Sequence, residues 1–203
     1  HFHGADYSYA LLWQRIGQAT QGLASAGITR GERVAFLGYN HPEMIVLLMA
    51  LARLCGILVP LNWRLAPAEH AFILGDCSPK MVIAEPGFQA GIDSIRAGLP
   101  PALHASLGPA APDWPAWDSI RGQTASADLV GGDADDLLIV YTSGTTGRPK
   151  GAVLTQSALL WNGFNSIHAH DLRQGDHVLS TLPMFHVGGL NNQTLPALQA
   201  GAT

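Results

Sequence analysis

Four short apolar runs, at residues 34–37, 57–59, 80–84 and 137–141, are separated by segments whose apolar residues fall at helical spacing. This alternation limits the chain more than any other feature. Strand and helix in turn build βαβ units, and those require a mostly parallel sheet covered on both faces. Ser8 is placed to cap a helix carrying Leu12, Ile16, Ala19 and Leu23 on one face, ending at Gly27. Pro42 opens a second helix predicted to run to about Leu54, with Gly56 stopping it, and Pro60 closes the strand that follows. Pro67 opens a third helix, to about Leu74. The expected fold class is α/β: a parallel-rich sheet with flanking helices, in one domain over residues 1–203. Residues 97–117 break the rhythm with Pro100, Pro101, Pro109, Pro112, Pro115 and several alanines, which predicts a long surface excursion. Trp114 and Trp117 are expected to pack that excursion onto its own domain, anchoring of a partner being the alternative.

Composition excludes several classes. Of 203 residues 47% are apolar, enough for a real core, so disorder is excluded. Charged residues are only 13%, against roughly 25% in an ordinary soluble domain. The net charge of -4 leaves no basic footprint for nucleic acid or an anionic membrane. Residues 44–61 are apolar apart from Arg53, and an arginine there costs roughly 2.5–3.5 kcal/mol on insertion, so a helix followed by a strand is expected and not a transmembrane segment. Cys55 and Cys77 make no disulfide framework and read as small apolar fillers in a reducing, cytoplasmic setting. His168, His170 and Asp171 lack zinc spacing and read as a polar helix end.

The run 137–141 leads directly into Thr142-Ser143-Gly144-Thr145-Thr146-Gly147-Arg148-Pro149-Lys150-Gly151. Glycines allow the backbone to approach a ligand and turn its N–H groups inward, forming an anion-binding nest. The hydroxyls add donors for phosphate oxygens or lone pairs for magnesium, and Lys150 supplies a compact charge for an oligophosphate. A polyphosphate clamp at the C-terminal end of a strand is where open α/β sheets bind ligands. It is not the G-x-x-x-x-G-K-[ST] loop, because Arg148 and Pro149 separate Gly147 from Lys150, and the G-x-G-x-x-G fingerprint is absent.

From Tyr141 to Gly151 the segment resembles the signature loop of the acyl-adenylate-forming superfamily, which includes acyl- and aryl-CoA synthetases, nonribosomal-peptide adenylation domains and luciferases. Leu182-Pro183-Met184-Phe185-His186-Val187-Gly188-Gly189 is similar to that family's proline-aromatic-histidine segment beside the acyl pocket. Gly31-Glu32-Arg33-Val34-Ala35, Asn40-His41-Pro42-Glu43, Pro60-Leu61-Asn62-Trp63-Arg64-Leu65 and Gly175-Asp176-His177-Val178-Leu179 also fit, so the resemblance spans nearly the whole chain.

The resemblance implies a two-step ligase that uses ATP, Mg2+ and coenzyme A to convert a small carboxylic acid, fatty, alicyclic or aromatic, into acyl-AMP and then acyl-CoA. It implies that Thr142, Ser143, Gly144, Thr145, Thr146, Gly147 and Lys150 wrap the phosphates, with the Thr142 hydroxyl at the metal. His186 would join Lys150 as a catalytic residue between nucleotide and acyl group, and Val187, Gly188 and Gly189 would line the acyl pocket. Thr155-Gln156-Ser157 departs from the family's usual threonine-histidine pair. The family's later magnesium glutamate, ribose aspartate, hinge and C-terminal lysine are not in this sequence. The chain is therefore expected to be the N-terminal part of the large adenylate-forming domain, without the C-terminal lid domain. It would contact that missing part, with a homodimer also open. Two alternatives remain: a nucleotide- or acyl-binding module without turnover, or an adenylating enzyme that loads a carrier-protein thiol.

Overall fold

A computed structural model describes residues 1–122, 131–142 and 148–203. Helix α1 (Tyr9–Ser25) begins where the Ser8 hydroxyl accepts the Leu11 N–H (3.1 Å) and buries Ile16, Ala19 and Leu23. Strand β1 (Arg33–Leu37), helix α2 (Pro42–Leu54) and strand β2 (Ile57–Leu61) follow, then α3 (Pro67–Cys77), β3 (Met81–Ala84) and α4 (Pro86–Asp93). The apolar run is thus a helix and a strand, joined at Cys55, whose left-handed φ of 55° turns the chain before Gly56. Among the described residues no helix is long and apolar enough to cross a membrane. The remaining elements are β4 (Leu103–Ser106), α5 (Trp117–Ile120), β5 (Asp136–Thr142), β6 (Lys150–Thr155), α6 (Gln156–His170), the short α7 (Val187–Gly189) and α8 (Leu195–Gln199).

The six strands form one sheet in the order β4-β3-β1-β2-β5-β6, parallel throughout except for the antiparallel β5–β6 pair. Alternate side chains enter two cores on opposite faces. Val34 and Phe36 of β1, with Met81 and Ile83 of β3, pack under α1 and α2, while Ala35, Leu37, Val82 and Ala84 pack under α3 and α4. Burial on both faces explains why these strands read as unbroken apolar runs.

Three elements differ from the sequence reading. Pro60 lies inside β2. The Ile57 N–H donates to Glu32 O on the β1 side (2.8 Å), so two-residue alternation turns the Pro60 nitrogen toward β5, where the ladder holds one register pair, Leu58 with Leu138. No bond of the β1 ladder is lost there.

Within the predicted excursion, Leu103–Ser106 is a parallel edge strand on β3. The chain beyond it wraps the sheet edge, placing Trp114 in one core and Trp117 in the other, 1% and 2% exposed. Each indole N–H is satisfied by a carboxylate: Trp114 donates to Asp93 (3.0 Å) and Trp117 to the buried Glu43 (2.7 Å). The tryptophans therefore pack onto their own domain.

The third addition is β6, an exposed edge strand that joins the sheet as the return arm of a hairpin with β5. Cys55 and Cys77 are free and buried, and α6 ends at His170 with Asp171 in a left-handed cap.

The low charged fraction has a visible location. Trp13 of α1 and Leu160, Trp161 and Phe164 of α6 are exposed, and an apolar cavity of about 540 Å3 opens between α1, α2, α6 and α8.

His41 caps α2 through Nδ1, which accepts the Glu43 N–H (3.0 Å). Burial, then the neighbouring Arg15 and His3, push its pKa down to about 4. A folded-state pKa below the ordinary 6.5 means that stability is complete above pH 6.5 and is lost as pH falls toward 4. Urea midpoints are expected to fall steadily between those two pH values, and His41→Asn, which keeps a capping acceptor without a titrating ring, is expected to flatten that slope.

Candidate active site

The parallel strands β1, β2, β3 and β5 end at one sheet edge; Thr142 and Lys150 stand there, and the segment bearing His186 is tied to it through Asn40. Thr142 ends β5 and Lys150 begins β6; the two are register partners, with the Thr142 hydroxyl 3.5 Å from the Lys150 carbonyl oxygen. Both ends of the glycine- and hydroxyl-rich loop are therefore held on one antiparallel ladder. Ser143, Gly144, Thr145, Thr146 and Gly147 lie outside the described residues.

The base of this hairpin is held firmly. Tyr141 donates its phenolic hydrogen to Asp76 at the end of α3 (2.5 Å), and burial followed by that hydrogen bond pushes its pKa far up, so it stays a neutral donor. The Tyr141 ring also walls Gly151, where a Cβ would stand 2.8 Å from Ile139 Cγ2 and 3.2 Å from the tyrosine ring. Gly151 is thus required by close approach.

His186, the second predicted catalytic residue, is exposed at the start of α7. Its Nδ1 accepts the Gly188 N–H (3.0 Å). A backbone N–H can only donate, so the neutral ring carries its proton on Nε2 and offers it as a donor. The ring lies in the segment 182–189, which is tied to the end of β1 by Asn40: the side-chain amide donates to Leu182 O (2.9 Å) and its oxygen accepts the Met184 N–H (2.8 Å). Asn40 was legible only as part of a matching stretch; its double bond across 144 residues is a tertiary fact.

The three residues after His186 separate in role. Gly188 is half-buried and close to the imidazole, a Cβ there standing 3.3 Å from His186 Nδ1 and 3.5 Å from Leu182 Cδ1. Gly189 is buried, and a Cβ there would meet Pro183 O at 2.4 Å, so it serves the tight turn of its own segment. Val187 packs against the core on the α1–α2 side.

An aromatic group that sequence reasoning did not single out completes the edge. Trp63, just beyond β2, meets Tyr39 at 4.9 Å and Phe185 at 6.4 Å between ring centroids, both edge-on. Thr142 offers one neutral oxygen, which suits a magnesium ion arriving with phosphates better than an all-protein cage. Among the described residues no group of three or more His, Cys, Asp or Glu is placed to hold a metal. The edge thus combines a cationic, hydroxyl-bearing hairpin with an imidazole donor and an aromatic wall, suited to hold a polyphosphate beside an organic acid.

Comparison with known proteins identifies the family of the chain. The sequence pattern of the AMP-binding enzyme family matches residues 1–203. The chain belongs to that family. It is 46% identical over its full length to an indoleacetate–CoA ligase of Aromatoleum aromaticum, covering 40% of that protein. It is 37% identical to a long-chain-fatty-acid–CoA ligase of Mycobacterium tuberculosis, with 95% of this chain matched to 38% of that one. The ATP-bound crystal structure of MatB from Rhodopseudomonas palustris superposes with a TM-score of 0.86 at 30% identity, over 99% of this chain and 40% of MatB. The chain thus spans about two-fifths of the length of these AMP-binding relatives.

Asn40→Ala removes both bonds that hold the segment 182–184. Loss of a hydrogen bond worth ~1 kcal/mol is expected to raise the exchange rate of the Met184 amide about fivefold or more, with little change in amides of β1 and β3, read by hydrogen exchange.

Proposed function

We propose that this chain is the nucleotide- and acid-binding part of an AMP-forming acid–CoA ligase, and that its substrate is an aromatic carboxylic acid of the arylacetate kind. The observation that carries the reading is the full-length match to the AMP-binding family together with the hairpin loop 142–150 at the C-terminal edge of a parallel sheet. The aromatic preference is supported by the 46% identity to an indoleacetate–CoA ligase, against 37% to a fatty-acid ligase.

In the first step a carboxylate oxygen bonds to the α-phosphorus of ATP while the bond from that phosphorus to the bridging oxygen breaks, releasing pyrophosphate. In the second, the thiol sulfur of coenzyme A bonds to the acyl carbon, AMP departs and the thiol proton is released. Neither step needs a protein nucleophile; both need phosphate charge neutralised and the reactants aligned. Lys150 and the backbone N–H groups of residues 142–147 would meet the phosphate oxygens. The Thr142 hydroxyl would be one ligand of the Mg2+ that accompanies the nucleotide. The Nε2–H of His186 would donate to the acid or to the α-phosphate between them. Trp63 and Phe185 would supply the apolar wall.

Two measurements test this in the complete enzyme. Pyrophosphate release with ATP and a panel of acids is expected to be fastest with arylacetates. A faster rate with long-chain fatty acids would overturn the substrate assignment, and pyrophosphate without acyl-CoA would point to a carrier-protein thiol. Lys150→Ala is expected to weaken ATP binding about tenfold or more, the scale of one charge-assisted hydrogen bond, while Arg148→Ala changes it by no more than about threefold, both by equilibrium titration.

A further inference from the structure

We propose that Arg96 and His104 form an acid-sensitive latch that ties the chain at residues 111–114 to the outer edge of β4.

The latch stands where separate segments meet. His104 lies within β4, opposite Val82 of β3, and Arg96 opens the short turn Arg96–Gly98 that follows α4. The wrap beyond β4 contributes Asp113, whose left-handed φ of 61° falls in a tight turn closed by two bonds between Ala111 and Trp114 (2.9 Å each). The Arg96 guanidinium joins these parts. Its Nη2 donates to His104 Nδ1 (2.8 Å), and its Nη1 donates to the Asp113 carboxylate (3.3 Å). It also lies 3.8 Å from Asp93 of α4, the carboxylate that accepts the Trp114 indole N–H (3.0 Å). The His104 ring meets Trp114 edge-on, 4.8 Å between centroids. One side chain therefore links strand to wrap, and its strand partner packs on the tryptophan that anchors the wrap.

This contact accepts only one form of the imidazole. A guanidinium has donors and no acceptor, so His104 Nδ1 must be unprotonated to receive it. A proton on that nitrogen replaces the hydrogen bond with two facing N–H groups and two like charges. Burial, and then Arg96, hold the His104 pKa below its ordinary 6.5; Asp93, the Ala102 carbonyl and Asp113 act the other way and are outweighed. With the pKa lowered in the closed form, the latch is fully closed above pH 6.5 and loosens as pH falls below that value. The displaced guanidinium has room, because a cavity of about 140 Å3 borders both Arg96 and His104, with Leu74, Pro79 and Val82 among its walls. Loosening acts on the covered edge directly. Ser106, two residues beyond His104, donates its N–H to Pro115 O (2.8 Å), next to Trp114.

The test follows the Ser106 amide by hydrogen exchange in the complete protein, corrected for the intrinsic rate and divided by the protection of β1 amides. The division removes any global loss of stability, that from His41 included. From about pH 7.5 to about pH 5.5 the relative protection is expected to fall about fivefold, the scale of one hydrogen bond. His104→Gln keeps an oxygen that accepts from Arg96 and does not titrate, so its relative protection is expected to stay constant within about twofold. Arg96→Met leaves the ring facing Asp93 and Asp113 alone; protonation then attracts, and the loosening is expected to vanish or reverse. A parent whose Ser106 protection is constant across this range, or falls only in step with β1, would overturn the proposal. An undiminished acid response in either variant would overturn it equally.

Discussion

The start of α2 holds three distant parts of the chain together. Asn40 clamps the segment bearing His186, His41 caps the helix, and the Glu43 carboxylate accepts the Trp117 indole N–H and lies 3.7 Å from Arg15 of α1. Glu43 is 2% exposed, and a buried carboxylate is costly unless it is paired and hydrogen-bonded. The helix that fills the centre of one core thereby also sets where the site's imidazole stands. Stability and site geometry meet in four consecutive residues.

The same economy governs the other wall of the site. Tyr141 joins β5 to α3 through Asp76, walls Gly151 of β6, and immediately precedes Thr142. The segment between Thr142 and Lys150 leaves and rejoins the sheet on two strands whose bases cannot shift independently. A clamp of the proposed kind, which must place several weak donors around one charged group, would gain from this, because misplacement by a fraction of an ångström weakens every contact at once.

Much of the fold was legible because the deciding signals are local. Pro42 at the first helical position and the apolar run behind it give α2 with the observed limits, and the paired faces of a parallel sheet give the unbroken apolar strands. β4 was not legible: Leu103-His104-Ala105-Ser106 follows two prolines and holds little apolar bulk, and it pairs only because β3 offers an open edge. β6 was hidden for a related reason, since its exposed residues carry no burial pattern and its partner is imposed by the hairpin. The loop and the histidine segment were legible as motifs. The meeting of the histidine segment with Asn40, Trp63 and Arg64 was not, because it depends on which strand ends lie side by side.

The wrap around β4 has a consequence for association between chains. Backbone beyond the strand returns along its outer side, where the Ser106 N–H donates to Pro115 O (2.8 Å) and Ala116 forms a bridge with Ser106, while Trp114 and Trp117 pin the return on opposite faces. A bare edge strand is a template for pairing with any exposed strand. Here the template is partly occupied by the chain's own backbone, secured by two indoles that would have to leave two separate cores before it could be displaced. Resistance to strand-by-strand aggregation at this end of the sheet is thus built from tryptophan burial instead of the charged or kinked residues that usually guard an edge.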